Sequence, residues 1–115
     1  KRMARTNNLT KAPPFAVESA IRMLGQNLRT ARLRRNLTIE EVAEKIGTGP
    51  RAVADAEKGK PTTAIAVYTA LLWSYDLLGT WSALADPAED SEGLSLADSR
   101  ERARRSKGKE LDDDF

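Results

Sequence analysis

Residues 37–60 read LTIEEVAEKIGTGPRAVADAEKGK, and their caps, glycines and apolar spacing describe two short helices joined by a tight turn. Thr38 carries the hydroxyl that an N-cap needs, and Glu41 three residues later completes a capping box with it. Ile39, Val42, Ala43 and Ile46 then fall at helical spacing on one face. Gly47 follows where a helix C-terminus wants a left-handed residue, which glycine adopts cheaply. Gly49 and Pro50 restart the chain, with proline at the first helical position, where its missing N–H costs nothing. Val53 and Ala56 face inward from the second helix, and Glu57-Lys58-Gly59 ends it. Two helices of about two turns each across a short glycine turn make a helix-turn-helix. Helical hairpins without any DNA role share this geometry, so the flanks must decide.

Upstream, Leu24, Leu28 and Ala31 lie at i, i+4 and i+7 in LGQNLRTARLRRN, which gives a preceding helix an apolar face for the pair to pack on. That helix is expected from Val17 or Glu18 to Arg35. Downstream, TTAIAVYTALLWSYDLLGTW supplies a helix capped by Thr62 or Thr63, running to about Tyr75, with Ile65, Tyr68, Leu71 and Leu72 inward. Thr80 then caps a final short helix with Trp81 and Leu84. This order, with LRTAR, LTIEEVAEKIG and EKGKP in place, resembles the lambda-repressor-like (XRE/Cro) helix-turn-helix family over residues 20–85. The resemblance implies an all-α, five-helix lambda-repressor-like DNA-binding domain. The expected organisation is a flexible basic arm at 1–16, the domain at 17–85, and a linker with a disordered charged tail at 86–115.

The chain of 115 residues is long enough for one core and carries a net charge of +2. That small value hides an uneven distribution. Residues 1–35 hold nine Lys/Arg against Glu18 alone, whereas 86–99 hold five acids and no base. There is no cysteine and no histidine, so the sequence offers no disulfide framework, thiol nucleophile or Cys/His metal site. Asp112, Asp113 and Asp114 make a poor cation site on a flexible end. GTGP at 47–50 follows no strand and precedes no GK[ST], which sets it apart from a phosphate loop. No cofactor, no metal and no enzymatic activity are expected. No apolar run reaches the ~18 residues of a membrane span and no signal pattern opens the chain, so a cytoplasmic location with no membrane partner is expected.

In the family resembled, the second helix of the pair lies in the major groove with residues near its start at base edges. Carried over, those places are Gly49, Pro50, Arg51, Ala52, Ala54 and Asp55, with Ile39 where a glutamine on a phosphate is common. Arg51 is the strong reader, since its fork matches guanine O6 and N7 for about 1–3 kcal/mol of discrimination. Ala52 and Ala54 offer only a methyl to thymine, and phosphate repels Asp55. Arg34, Arg35, Lys45, Lys58 and Lys60 are candidate phosphate contacts, with hydroxyls from Thr38 and Thr48. The resemblance also implies a buried, structural ion pair between Arg32 and Glu57. The basic arm either lies on DNA or is solvated leader.

The apolar groups Trp73, Leu78, Trp81 and Leu84 exceed what so small a domain can bury, which suggests a dimer seam suited to two DNA half-sites. RERARRSKGK at 100–109 either reaches DNA or solubilises the chain. In ELDDDF, Leu111 and Phe115 are candidate anchors for a protein partner. The segment YTALLWSYDLLGTWSALADPAEDSEGLSL with its basic tail resembles HipB-type antitoxins encoded beside HipA-like serine/threonine kinase toxins. That resemblance implies a homodimeric repressor of its own operon, bound to a double-stranded DNA operator and to a kinase toxin. The weak set of base readers keeps open another class, a protein-interaction adaptor that no longer reads specific DNA.

Overall fold

The computed structural model describes residues 7–113, with side chains as far as Lys109. Its described residues form six α-helices: α1 (Asn8–Lys11), α2 (Phe15–Arg34), α3 (Ile39–Ile46), α4 (Pro50–Glu57), α5 (Ile65–Ser74) and α6 (Ser91–Asp113). Two 3₁₀ segments, Leu78–Ala83 and Pro87–Glu89, lie between α5 and α6. The chain divides into two compact units, residues 1–81 and 82–115. None of the helices among the described residues is long and apolar enough to cross a membrane.

The central pair forms for the reasons its sequence contains. Thr38 Oγ1 accepts from the Glu41 amide at 3.1 Å, and Glu41 Oε1 accepts from the Thr38 amide at 3.0 Å, so both halves of the capping box are closed. Gly47 ends α3 at φ 81°, and the amides of Gly47 and Thr48 both return to the Ala43 carbonyl. Pro50 opens α4 behind Gly49. Val42 and Ala43 of α3, and Val53 and Ala56 of α4, meet Leu28 and Ala31 of α2 and Tyr68, Leu71 and Leu72 of α5 in one core. A close approach fixes the other end of α4. A Cβ on Gly25 would stand 2.6 Å from the Ala56 carbonyl oxygen, and one on Gly59 would stand 2.5 Å from Arg22 Cα, so two facing glycines let the end of α4 lie directly on α2.

The core is organised around two charges. Arg32 and Glu57 are both buried. Arg32 donates from Nε to Glu57 Oε2 at 2.7 Å and from Nη2 to Oε1 at 3.0 Å, and from Nη1 to the Leu37 carbonyl at 2.8 Å. The fork therefore holds the end of α4 and the entry to α3 at once. Its bond to Glu57 raises the Arg32 pKa despite the cost of burial. Tyr75 completes the site, 1% exposed. Its hydroxyl is buried with no hydrogen-bond partner among the described residues. Burial, with the Glu57 carboxylate next in effect, pushes the phenol up to about 12 against the pull of Arg32 and Arg35.

Several expectations are corrected. Residues 17–85 hold four α-helices and the 3₁₀ segment Leu78–Ala83, and outside them the short α1 and the long α6 stand where flexible ends were expected. Part of the expected arm is α1, capped by the Asn7 side chain on the Leu9 amide, and α2 begins at Phe15 behind Pro14; residues 1–6 of that arm lie outside the described residues. Neither Thr62 nor Thr63 caps α5, whose N-cap is Ala64 without a side-chain bond. Tyr68 donates to the Lys60 carbonyl at 3.0 Å and draws that loop inward, which leaves Ile65 outside at 68% exposed instead of in the core. The expected Thr80-capped helix is a 3₁₀ segment in which Thr80 donates back to the Leu77 carbonyl. Leu78 and Trp81 pack against the core of their own chain, while Trp73 and Leu84 are exposed.

In the second unit, α6 replaces the expected disorder. The Asp90 side chain accepts from the Gly93 amide at the helix start, and Glu101 pairs one turn on with Arg104 and Arg105. Residues of high helix propensity with their own i, i+3 and i+4 partners sustain a helix without a core to pack on. The Leu111 side chain and Phe115 lie outside the described residues.

Two stability outcomes follow from the core. Glu57→Ala, which strands the Arg32 charge, lowers the unfolding free energy by about 3–5 kcal/mol in urea titrations read by circular dichroism. Tyr75→Phe removes an unsatisfied hydroxyl, so at neutral pH it leaves stability unchanged or raises it by about 1 kcal/mol. Below pH about 10 the folded and unfolded chains both keep the phenol proton. From there to about 12 only the folded chain keeps it, so stability falls as pH rises across that window. The alkaline fall is therefore smaller in Tyr75→Phe, and equal fall in both proteins contradicts the assignment.

Candidate nucleic-acid interface

α4 buries Val53, Ala56 and Glu57 and turns its other side outward. Gly49, Pro50 and Arg51 are exposed at its start, and Ala52, Ala54 and Asp55 are half-buried behind them. No side chain caps its first turn, where Pro50 has no N–H and the Ala52 amide donates to the Gly49 carbonyl at 3.2 Å. The guanidinium of Arg51 makes no ion pair or hydrogen bond among the described residues. Ile39, at the start of α3, is packed against the core and brings no polar group to this side.

The expected phosphate contacts separate into two classes. Arg35 donates from Nη1 to the Ala31 carbonyl at 2.9 Å and from Nη2 to the Tyr75 carbonyl at 2.8 Å, with its guanidinium 5.3 Å from the Tyr75 ring centroid. Lys45 donates to the Ser74 carbonyl at 3.3 Å. Both therefore close the C-terminus of α5, where helix carbonyls lack amide partners and a cation is favoured. Thr38 is engaged in the α3 capping box. Lys60 pairs with Asp55 at 3.2 Å, which neutralises the one acid on the outward side of α4. Arg34 and Lys58 are exposed and make no ion pair among the described residues, and Thr48 is half-buried at the turn.

The structure thus brings Arg51, Thr48, Ala52, Ala54 and the Asp55–Lys60 pair together on and beside α4, with Lys58 at its far end. It assigns Arg35 and Lys45 to α5 instead. Sequence reading missed these two caps because their acceptors lie 40 and 29 residues away in the chain and are backbone atoms of no particular residue type. It missed the Gly25–Gly59 approach as well, for which a glycine in the middle of an expected helix was the available signal. The division is testable by stability alone: Arg35→Gln lowers the unfolding free energy by about 1–2 kcal/mol, whereas Arg34→Gln changes it by less than about 0.5 kcal/mol. Equal effects in thermal melts contradict the assignment.

A helix-turn-helix family model matches residues 28–72, which span the second half of α2, the whole of α3 and α4, and α5 as far as Leu72. No curated protein and no solved structure matches the chain. The matched stretch holds the Arg32–Glu57 pair, the capped turn and the outward face of α4. Over this segment the chain is similar to the helix-turn-helix family, whose members of the XRE, lambda-repressor-like kind bind DNA.

Proposed function

We propose that the protein is an operator-specific transcriptional repressor that reads DNA with α4, acts as a homodimer on its own operon, and serves as the antitoxin of a HipA-like kinase. The observation that carries the DNA reading is the open outer face of α4, with the unpaired fork of Arg51 at its first turn. Arg51 reads one base pair, since a bidentate contact to guanine discriminates by about 1–3 kcal/mol. Ala52 and Ala54 add thymine-methyl contacts of lower selectivity. Lys58 and Arg34 supply phosphate contacts, and each phosphate neutralised adds about 0.9 to the log–log salt slope. With so few direct readers, the specificity of the site draws heavily on DNA shape and on the pairing of two half-sites.

The antitoxin part rests on the resemblance of the segment from Tyr68 to Leu96 and the basic stretch after it to HipB-type proteins. A second reading, a protein-interaction adaptor, is favoured by the same α4: Pro50, Ala52 and Ala54 bring no side-chain hydrogen bond to a groove.

Fluorescence anisotropy separates these readings, with DNA from upstream of the gene titrated beside a scrambled duplex at two salt concentrations. The repressor binds its own DNA more than about a thousandfold tighter, and the difference persists at the higher salt. Arg51→Ala then relaxes preference at one base pair and leaves the others. Equal and steeply salt-sensitive binding to both duplexes rejects the repressor and puts the adaptor in its place.

A further inference from the structure

The feature that reading by α4 leaves unused is the second half of α6. Residues 100–109 read RERARRSKGK, with six Lys/Arg and Glu101 as the single acid. Every residue from Leu94 to Lys109 is exposed, and among the described residues α6 packs chiefly on the short Pro87–Glu89 segment at its own start. Glu101 lies 4.0 Å from Arg104 and 3.8 Å from Arg105. Arg100, Arg102, Lys107 and Lys109 make no ion pair among the described residues.

Helical geometry sorts these charges into two rows. At 3.6 residues per turn, Arg100, Arg104 and Lys107 stand along one flank, and Arg102, Arg105 and Lys109 along the opposite one. Between the rows, one side carries a stripe of Ser99, Ala103 and Ser106 at i, i+4 and i+7, and the other side carries Glu101 and Gly108. A helix that merely solubilises a chain gains from opposite charges one turn apart, whereas like charges there destabilise it. Each row of α6 stacks cation on cation, so the helix works against its own repulsion until anions lie along both flanks.

Chemistry narrows the source of those anions. A membrane surface takes a helix with an apolar face, and a protein groove takes apolar anchors at helical spacing. From Asp98 to Lys109 the only apolar side chain is Ala103. Two rows of cations on opposite flanks match the two phosphate strands that wall the major groove of DNA, about 12 Å wide, into which an α-helix fits. The corresponding groove of duplex RNA is too narrow for side chains to enter. From Arg100 to Lys109 the rows run about 14 Å, and the small stripe between them allows close approach to the groove floor.

We infer that α6 is a second DNA-binding element, seated lengthwise in a major groove with its two basic rows on opposite strands and Ser99, Ala103 and Ser106 toward the floor. This rests on DNA as the partner in the proposed function, and it is independent of which bases α4 reads. Phosphate contacts carry no sequence information, so α6 adds affinity and leaves selectivity to α4. Linkage to the helix-turn-helix in one chain presents it to the duplex at high effective concentration.

The test is fluorescence anisotropy of the full chain on the upstream and scrambled duplexes across a salt series. Two triple variants are compared with the parent, one carrying Arg100→Gln, Arg104→Gln and Lys107→Gln, the other Arg102→Gln, Arg105→Gln and Lys109→Gln. Glutamine keeps helix propensity, which circular dichroism checks. Each triple variant binds both duplexes about tenfold or more weakly, lowers the log–log salt slope by about 2.5, and leaves the ratio between the duplexes unchanged. Ala103→Glu, on the inward stripe, weakens binding more than Gly108→Glu on the outer side, although both add the same charge. Equal binding of the two duplexes, still weakened by both triple variants, rejects operator reading by α4 and leaves α6 standing. Parental affinity and slope in the triple variants overturn the inference, and the discrimination ratio then judges α4 by itself. Loss in one triple variant alone, equal effects of the two glutamates, or equal affinity for duplex RNA each overturn the seating in a major groove. A dependence on both rows that appears with polyglutamate and not with duplex DNA overturns it in favour of an acidic protein.

Discussion

The buried fork of Arg32 on Glu57 is the constraint on which the other contacts depend. It joins the last turn of α2 to the last turn of α4, and through the Leu37 carbonyl it also fixes where the chain enters α3. Such a pair is poor evidence of net stability, because removing two charges from water costs about as much as their attraction returns. What it supplies is direction. An apolar contact at this place would let α4 roll or slide on its neighbours, whereas two parallel hydrogen bonds accept one register. Tyr75 belongs to the same logic. It is buried in the same core, with the Arg35 guanidinium over its ring, and its hydroxyl has no partner among the described residues.

That register decides which residues of α4 are available. With Val53, Ala56 and Glu57 drawn inward, Arg51 and Ala54 must point away from the core. The two glycines at the far end act in the same sense, since any side chain at Gly25 or Gly59 would lift α4 off α2. The outward face of α4 is thus set by what is buried behind it. The distribution of positive charge follows too. Arg35 and Lys45 look like surface cations in the sequence, but they end on the bare carbonyls of α5 and tie that helix to α2 and α3.

The parts legible in the sequence were those whose cause is local. The Thr38–Glu41 capping box, the left-handed Gly47, Pro50 at the start of α4 and the core positions Val42, Ala43, Val53 and Ala56 each depend on neighbours within four residues. The family match over residues 28–72 adds to these. The misread parts depend on distant or non-side-chain partners. Periodicity placed Ile65 inside because it shares spacing with Tyr68 and Leu72, and nothing local says that the Lys60 carbonyl captures the Tyr68 hydroxyl and turns the entry of α5. Composition placed residues 91–113 outside any structure because they lack core-forming groups, yet their pairing is with one another along α6.

The same contrast bears on how the two faces of the domain communicate. α5 packs on both α3 and α4, and α3 and α4 are held to α2 by the ion pair. The outer side of α5 therefore belongs to a helix whose other side carries both α3 and α4. Such a close-packed layer transmits position with little slack, so the placement of α4 is set by the helices packed behind it and not by a flexible connection. In the proposed homodimer, Arg51 would gain selectivity from a fixed separation between the two copies of α4, because both contacts must be satisfied on one duplex at once.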